Sequence, residues 1–408
     1  VSPEGATLAP GRDGPRAGRE PGAGPTPGGE PALGSRTPAA GRPSGLRVVD
    51  VTLWYGARSG GIKTYLDAKR RHVALTGAFD HHVVVPGRET TERDGLHTVR
   101  GVKVTRNDYR IPPGGRGLRR ALERIRPDVV LLHDPYWTPR AAIAEAHVHG
   151  AAVVAVHHGS VALAAAGMPG PDGPWARGFR AWMTHAYRDV DAVMSVIDPG
   201  PCSGRAADLP LRLGLDPAFR PQAGVRRGDH VLYVGRLSRA KGLPELLEAA
   251  RRALEPWRLD IVGDGPWRQG LPREIAALGL QDRVRLLPYV ADRAELARRY
   301  AAASCVVMPG PNETFGLVGL EAAASGARVV TTSGAPAAAA IGGLGETFPV
   351  GDPVALGQAI GRARRAPLDL RAAARLADAH AWPVLFDAEQ RDLTALCARV
   401  RAGGARRS

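Results

Sequence analysis

Short apolar runs without polar alternation recur through the first half of the chain: "LRVVDVTLWY" (46–55), "HHVVVPG" (81–87), "PDVVLLHDP" (127–135), "AAVVAVHH" (151–158) and "VDAVMSVI" (190–197). Between them lie stretches with helical spacing, such as "GIKTYLDAKRRHVALTG" (61–77). A continuously apolar strand is covered on both faces, and intervening helices supply that cover, so the pattern predicts a parallel, doubly wound sheet. After "PQAGVRRGD" (221–229) a second series follows: "HVLYVGRL", "RLDIVGDG", "RVRLLPYV", "SCVVMPG" and "ARVVTTSG". The expected class is therefore α/β, with two tandem Rossmann-like domains over 46–221 and 222–385. An interdomain cleft would lie where the carboxyl ends of the two sheets face each other, the place where such folds take ligands. The closing "AWPVLFDAEQRDLTALCARV" reads as a last helix, and residues 386–408 are expected to pack back on the domains and end in a basic tail. Ahead of all this, 20 of the first 45 residues are Gly or Pro and none shows apolar periodicity. Such a segment buries too little surface to offset its chain entropy, so 1–45 is expected to be a disordered tail.

Composition narrows the function less than the pattern does. At 408 residues the chain exceeds one ordinary core, and a formal charge of +15 points to an anionic partner. Nucleic acid, acidic lipid and a phosphorylated small molecule all fit that charge. Lysine occurs only at 63, 69, 103 and 241, and the remaining cations are arginines in an Ala-, Gly- and Pro-rich text. A GC-rich genome accounts for this bias, which weakens the nucleic-acid reading. So do aromatics of only 5% that are not interleaved with a basic stripe, and no nucleic acid is expected as partner. Three scattered cysteines give neither a disulfide framework nor a metal-binding pair, no apolar run reaches the ~18 residues of a membrane span, and a cytoplasmic location is expected.

Candidate chemistry lies mostly in the second half. "VGRLSRAKGLPELLEAA" (234–250) sets Arg236 at a strand end and Lys241 just before a helix starting near Leu243. Two cations at a helix N-terminus make an anion site suited to a pyrophosphate, though an exposed basic loop would read the same. "IVGDGPWR" (261–268) is a strand entering a turn and lacks the dinucleotide fingerprint. In "PGPNETFGLVGLEAAASG" (309–326) the turn residues give way to a helix, with Glu313 in the loop and Glu321 about two turns in. The amides of Phe315, Gly316 and Leu317 would meet a phosphate or sugar, Glu313 would face the sugar, and Glu321 would hold paired hydroxyls such as a ribose diol.

Three features are read as structural or left open. "DVD" (189–191) mimics a metal motif, but Asp191 is expected to end a helix, and no metal is assigned. Trp175, Phe179, Trp182, Met183 and Ala186 form a helical stripe expected to be core. "GGRGLRRALERIRPD" (114–128) suits either a basic amphipathic helix on anionic lipid or a solvated helix packed on the sheet, and "KRR" (69–71) would extend the same face.

Taken in order, "SGGIKTY", "PDVVLLHDP", "VAVHHGS", "GLDPAFRP", "VGRLSRAKG", "IVGDGP", "PYV…ELARRYAAASCVVMPG" and the two glutamates eight apart resemble the retaining glycosyltransferases of family GT4, which have the GT-B fold. "SGGIKTY" and "PGPNETFGLVGLE" look most like the actinobacterial GDP-mannose-dependent α-mannosyltransferases. The resemblance implies transfer of a hexose, mannose from GDP-mannose, from a nucleotide-sugar donor to a lipid, glycan or small-molecule hydroxyl, with retention and without cofactor or metal. It implies that Gly60 and Gly61 lie near the donor phosphates, that Arg236 and Lys241 neutralise the diphosphate, and that Glu313 contacts the transferred sugar. Phe315, Gly316 and Leu317 would contribute amides, Glu321 would bind the ribose, and the backbone at Tyr289 and Val290 would meet the base. His158 matches the active-site histidine beside the acceptor, with His157 as the alternative. Contact with the inner face of an anionic membrane is a further expectation. An isomerase of the nucleotide-sugar 2-epimerase kind on the same fold, and a basic nucleic-acid-binding protein, are the competing readings.

Overall fold

The computed structural model describes residues 45–56, 61–104, 109–158, 172–196, 206–310 and 316–404, and the chain from Ser44 onward forms one compact unit. The expectation for the tail therefore falls almost wholly outside the described residues. Each apolar run forms a strand. In the first half these are β1 (Arg47–Val51), β2 (Asp80–Gly87), β3 (Thr91–Arg93), β4 (Leu96–Arg100), the short antiparallel pair β5 (Val102–Lys103) and β6 (Arg110–Ile111), then β7 (Val129–Leu132), β8 (Ala152–His157), β9 (Ala192–Ser195) and β10 (Ala207–Pro210). The second half holds β11 (Val231–Val234), β12 (Leu259–Val262), β13 (Val284–Leu287), β14 (Cys305–Met308), β15 (Val329–Thr332) and β16 (Gly345–Phe348).

Among the described residues the first sheet runs β10-β9-β8-β7-β1-β2-β4-β3, parallel except for β3 against β4. The second is all parallel in the order β13-β12-β11-β14-β15-β16. In each sheet the order reverses beside the first strand, between β1 and β7 and between β11 and β14. Ligands of doubly wound sheets sit at the carboxyl ends of such switch-point strands. The strands with no apolar run are edge or near-edge ones: β4 alternates buried and exposed positions, so a search for continuous runs passes over it.

The helices are α1 (Gly61–Thr76), α2 (Arg116–Ile125), α3 (Pro139–Val148), α4 (Asp172–Ala186), α5 (Leu243–Arg252), α6 (Leu271–Ala277), α7 (Arg293–Ala302), α8 (Leu317–Ala324), α9 (Pro336–Ile341), α10 (Pro353–Arg365), α11 (Leu370–Ala379) and α12 (Trp382–Gly404). One apolar cluster packs α2, α3 and α4 on one face of the first sheet through Leu118, Leu122, Ile143 and Met183. Another runs from the opposite face, through Tyr65, Phe219, Phe386 and Trp382, into the second half at Leu320 and Val306. The last helix begins at Trp382, within the stretch read from sequence as the closing helix, and returns to the first half. There Gln390 Nε2 donates to the Ala78 carbonyl (2.8 Å), and Arg212 pairs with Asp392 (2.5 Å).

Of the two readings of α2 the packed helix holds: its apolar face, Leu118, Leu122 and Ile125, is buried in the core while the arginines and Glu123 are exposed, so it has no free apolar face for lipid. Three sequence expectations need correction. Lys69 cannot extend a basic surface, because it is fully buried in α1. In α4 Met183 and Ala186 are core, but Trp175 (46%) and Trp182 (39%) are exposed. Asp191 follows the helix without ending it: its carboxylate accepts from Val153 N (2.8 Å) and pairs with His147 (3.1 Å), fixing β9 beside β8.

Lys69 shows what fastens the last helix. Its ammonium lies 2.9 Å from Asp50 Oδ2 in β1 and 2.7 Å from Glu389 Oε1 in α12, and Tyr65 OH donates to Glu389 Oε2 (2.5 Å). Buried charges are tolerated only when paired, and removing one partner leaves the others uncompensated. Lys69→Met should cost about 3–5 kcal/mol, read as a lower midpoint in chemical unfolding. A loss within ~0.5 kcal/mol, the scale of a surface substitution, would mean that these carboxylates find other partners.

Candidate active site

The loops at the carboxyl ends of the second sheet touch one another through glycine. Gly242, at the entry of α5, has φ 73°, and a Cβ there would lie 2.3 Å from the Pro309 carbonyl oxygen after β14. Gly263, after β12, has φ 148°, and its Cβ would fall 2.0 Å from the Gly235 carbonyl oxygen after β11. These approaches draw the segments carrying Arg236, Lys241 and Gly310 into one rim. Lys241 backbone lies against Gly310, and Arg236 is exposed, its carbonyl accepting from Tyr233 OH at 3.0 Å.

The helix α8 begins at Leu317, with Gly316 as its left-handed cap, so Glu321 stands about one turn in, where the sequence suggested two. Glu321 is the one ionisable residue of a helix that is otherwise apolar all round and therefore buried. Tyr300 OH donates to its Oε2 (3.1 Å), and Arg293 lies 3.7 Å from Oε1. Burial pushes its carboxyl up to about 7, more than Arg293 and Tyr300 pull it down. Tyr289, in the loop after β13, is exposed. Val290 packs on the core beside it. Across from this rim, Gly61 at the start of α1 faces α8: a Cβ on Gly61 would sit 3.7 Å from Leu317 Cδ1. The structure thus brings Gly61, Gly316, Leu317 and Glu321 to one place; Gly60, Glu313 and Phe315 lie outside the described residues.

On the first-half side, His157 and His158 diverge as strand neighbours do. His157 packs its ring against Tyr187 (5.8 Å) and its Nε2 is buried without a hydrogen-bond partner; burial pushes it down to about 4. His158 Nε2 lies 2.6 Å from His133 Nδ1, and His133 Nε2 lies 2.6 Å from Asp50 Oδ1. Burial, with His133 and His157 beside it, holds His158 well below the ordinary histidine value. Sequence reasoning missed Asp50, His133 and Asp134. Asp134 follows β7 and binds the end of β1, accepting from Thr52 Oγ1 (3.0 Å), Leu53 N (2.7 Å) and Tyr136 N (3.2 Å). "LLHDP" was visible as a strand end, but nothing in it names its partners. Beyond Asp134 an aromatic row opens to solvent: Trp54 meets Tyr109 (5.2 Å) and Tyr136 (6.1 Å), and Tyr136 meets Trp182 (5.5 Å). The carboxylates of Asp189 and Asp191 engage Arg188 and His147 and do not converge.

Two largely parallel sheets whose strand-end loops meet where α1 faces α8 make an α/β architecture of two Rossmann-like halves, and comparison with known proteins gives the family. Residues 59–198 match the model of "Glycosyltransferase Family 4" and residues 228–365 that of "Glycosyl transferases group 1", which together take in most of the described chain. The protein is similar to the GDP-mannose-dependent alpha-(1-6)-phosphatidylinositol dimannoside mannosyltransferase of Mycobacterium tuberculosis, 28% identical over 70% of this chain and 79% of that one. It is also similar to the D-inositol 3-phosphate glycosyltransferase of Frankia alni, 41% identical over 38% of this chain and 37% of that one. Among solved structures, sucrose-phosphate synthase from Thermosynechococcus elongatus superposes with TM-score 0.66 at 16% identity, over 88% of this chain and 100% of that one. Anabaena HepE in complex with UDP gives 0.59 at 14% identity, over 88% and 100%. The chain belongs to the family 4 glycosyltransferases and has their GT-B fold.

Gly242→Ala tests the rim. The new Cβ meets backbone that cannot give way, and a left-handed conformation costs a non-glycine residue about 1–2 kcal/mol before any clash. The variant should unfold at lower denaturant and bind nucleotide diphosphate more weakly; wild-type values for both would show that these loops are not in contact.

Proposed function

We propose that this glycosyltransferase moves mannose from GDP-mannose to a hydroxyl of a lipid, glycan or small-molecule acceptor, with retention at the anomeric carbon. The observation that carries the reading is the meeting of Gly61 with Leu317 one turn before the partly buried Glu321. The mannosyl donor rests on the mycobacterial relative, whose name states GDP-mannose. In this reading the second half, 222–385, binds the donor and the first, 46–221, the acceptor, while the final helix closes the chain onto the first half.

The chemistry follows from charge. Cleavage of the bond from anomeric carbon to phosphate develops positive charge on the sugar and negative charge on the departing diphosphate, so cations fixed at the phosphates lower the barrier. Arg236 and Lys241 take that part, with the amides of Phe315, Gly316 and Leu317 at the start of α8 and Gly60 and Gly61 opposite. Glu313 faces the transferred sugar, Tyr289 and Val290 border the base, and Glu321 holds the ribose diol. His158 stands by the acceptor hydroxyl, which attacks on the face the diphosphate leaves, and the departing phosphate takes its proton. No metal is assigned a part. The exposed aromatic row of Trp54, Tyr136 and Trp182 offers flat faces for an acceptor's apolar side. We place the enzyme in the cytoplasm, meeting an anionic membrane through Arg116, Arg119, Arg120 and Arg124 of α2. Among the described residues no helix is long and apolar enough to cross a bilayer.

A thermal-shift series with GDP, UDP, ADP and their sugar conjugates tests the donor. A ligand at about 100 times its dissociation constant stabilises the native state by roughly 2.7 kcal/mol. GDP and GDP-mannose should shift the transition and Arg236→Ala should abolish the shift. A response to UDP alone would replace the donor, and conversion of the nucleotide sugar to its C2 epimer without any acceptor would favour the 2-epimerase kind of reaction.

Glu321 gives a pH test with a definite sign. A diol donates to a carboxylate and cannot be held as well by the protonated acid, so nucleotide binding should favour ionised Glu321 and release a proton. Affinity for GDP should therefore rise with pH through about 7, where burial has put this carboxyl. Glu321→Gln should bind weakly and without that slope; a wild-type profile flat from pH 6 to 8 would remove Glu321 from the ribose.

A further inference from the structure

The loop joining β13 to α7, residues 288–292, is pinned at both ends. Arg268, half-buried after β12, donates through Nη1 to two main-chain carbonyls: Gly263 just past β12 (2.8 Å) and Leu287 at the end of β13 (3.2 Å). Nη1 carries two hydrogens, so each carbonyl takes one. The pairing of β12 with β13 ends at Val262 and Leu287, so this side chain holds the chain where the ladder stops. At the far end Asp292 caps α7, its Oδ1 accepting from Glu295 N (3.0 Å). Between these anchors Val290 packs on the core and Tyr289 is exposed.

The anchor at Arg268 belongs to a longer brace. Main-chain bonds tie the turn after β12 to the segment after β11: Leu237 N donates to the Asp264 carbonyl (2.9 Å), and Trp267 N to the Leu237 carbonyl (3.0 Å). Gly265 lies against the same residue, where a Cβ would fall 2.4 Å from the Leu237 carbonyl oxygen. Outside, the Arg239 guanidinium covers the Trp267 ring, 4.4 Å from its centroid, and pairs with Glu274 (3.0 Å). The β12 turn is thereby fixed to the segment carrying Arg236 and Lys241, and Arg268 transmits that position to the end of β13.

The place of loop 288–292 relative to a nucleoside follows from α7. Its first residue, Arg293, lies 3.7 Å from Glu321 Oε1, and the loop runs directly into it. A nucleotide with its diphosphate at Arg236 and Lys241 and its ribose on Glu321 turns its base away from the phosphates, toward this loop.

We propose that Arg268 is a positioning residue for nucleobase choice, holding the main chain at Tyr289 and Val290 at a fixed distance from the phosphate site. This rests on the reading of the second half as the donor-binding one, with Tyr289 and Val290 at the base. Main-chain N–H and C=O groups distinguish bases only while that distance is constant, because hydrogen-bond lengths span a range of only about 0.5 Å. Arg268 itself touches carbonyls and not the base.

The test titrates the full chain calorimetrically with GDP, UDP, ADP and inorganic pyrophosphate and follows hydrogen exchange at the Tyr289 and Val290 amides. In the wild type GDP should protect these amides and pyrophosphate should not. Arg268→Met keeps the stem and loses the donor, so exchange at the loop should speed up in the free protein. Its GDP affinity should fall about tenfold and its preference over UDP and ADP narrow, with pyrophosphate affinity held within about twofold. Arg268→Lys, whose ammonium still donates to these carbonyls, should recover most of the preference. Asp352→Ala removes the side chain that caps α10, next to β16 at the opposite edge of the sheet, and serves as the stability control; its preference should match wild type. If GDP protects the wild-type loop but Arg268→Met keeps the full preference, the proposal is overturned. Equal losses for GDP and pyrophosphate would overturn it too, since Arg268 would then support the whole rim. Absence of GDP protection in the wild type would instead remove Tyr289 and Val290 from the base, and the proposal with them.

Discussion

A carboxylate in the central strand of a sheet covered on both faces cannot stay there unpaired, and the first half of this enzyme is arranged around that constraint. Burial pushes Asp50 toward neutrality, but Lys69 and the hydrogen bonds of His133 and His81 outweigh it and hold the carboxyl well below its ordinary range. The donors come from α1, β2 and the end of β7, the three elements packed directly on β1. Lys69 is in turn shared with Glu389, so the last helix of the chain is tied to its first strand. Return of α12 to the first half is thereby a consequence of charge pairing as well as of the apolar contacts of Phe386 and Trp382 with Tyr65.

The second half solves its positioning problem with backbone. Its rim loops approach so closely that a methyl group would not fit between Gly263 and Gly235 or between Gly242 and Pro309. Backbone in contact with backbone leaves amides and carbonyls, not side chains, to face a ligand, which suits phosphate and sugar recognition. The single ionisable group of α8, Glu321, is kept inside by Tyr300 and Arg293.

What the sequence disclosed follows the same division. Apolar runs revealed the covered strands, because a strand buried on both faces has no polar alternation to confuse it. They missed β3, β4, β10 and β16, which lie at sheet edges or one strand in, where one side meets solvent. Glycine-rich loops and cations pointed to the rim of the second sheet, since close backbone approaches leave a mark in composition and local order. The cluster behind His158 left no such mark: Asp50, Lys69, His81, His133 and Glu389 are scattered over more than three hundred positions. Only the strand order brings them together. Lys69 was misread in "KRR" for the same reason, because the face a lysine takes on a helix depends on what lies opposite it. The tryptophans of α4 were misread as core because apolar spacing specifies a face without saying whether anything covers it.

The two halves should therefore respond differently to sequence change. Around Asp50 each side chain is specified by its partners' charge and proton, so substitutions there act through unpaired groups and propagate along the chain of contacts from Glu389 to His158. At the glycine rim, geometry is specified by the absence of a side chain, and any Cβ acts through displacement of the neighbouring loop. The aromatic row beyond Asp134, where Trp54, Tyr136 and Trp182 are exposed, meets neither restraint. Variation at that row can proceed without disturbing the charges below it, which is how one fold can keep its scaffold while its surface contacts diverge.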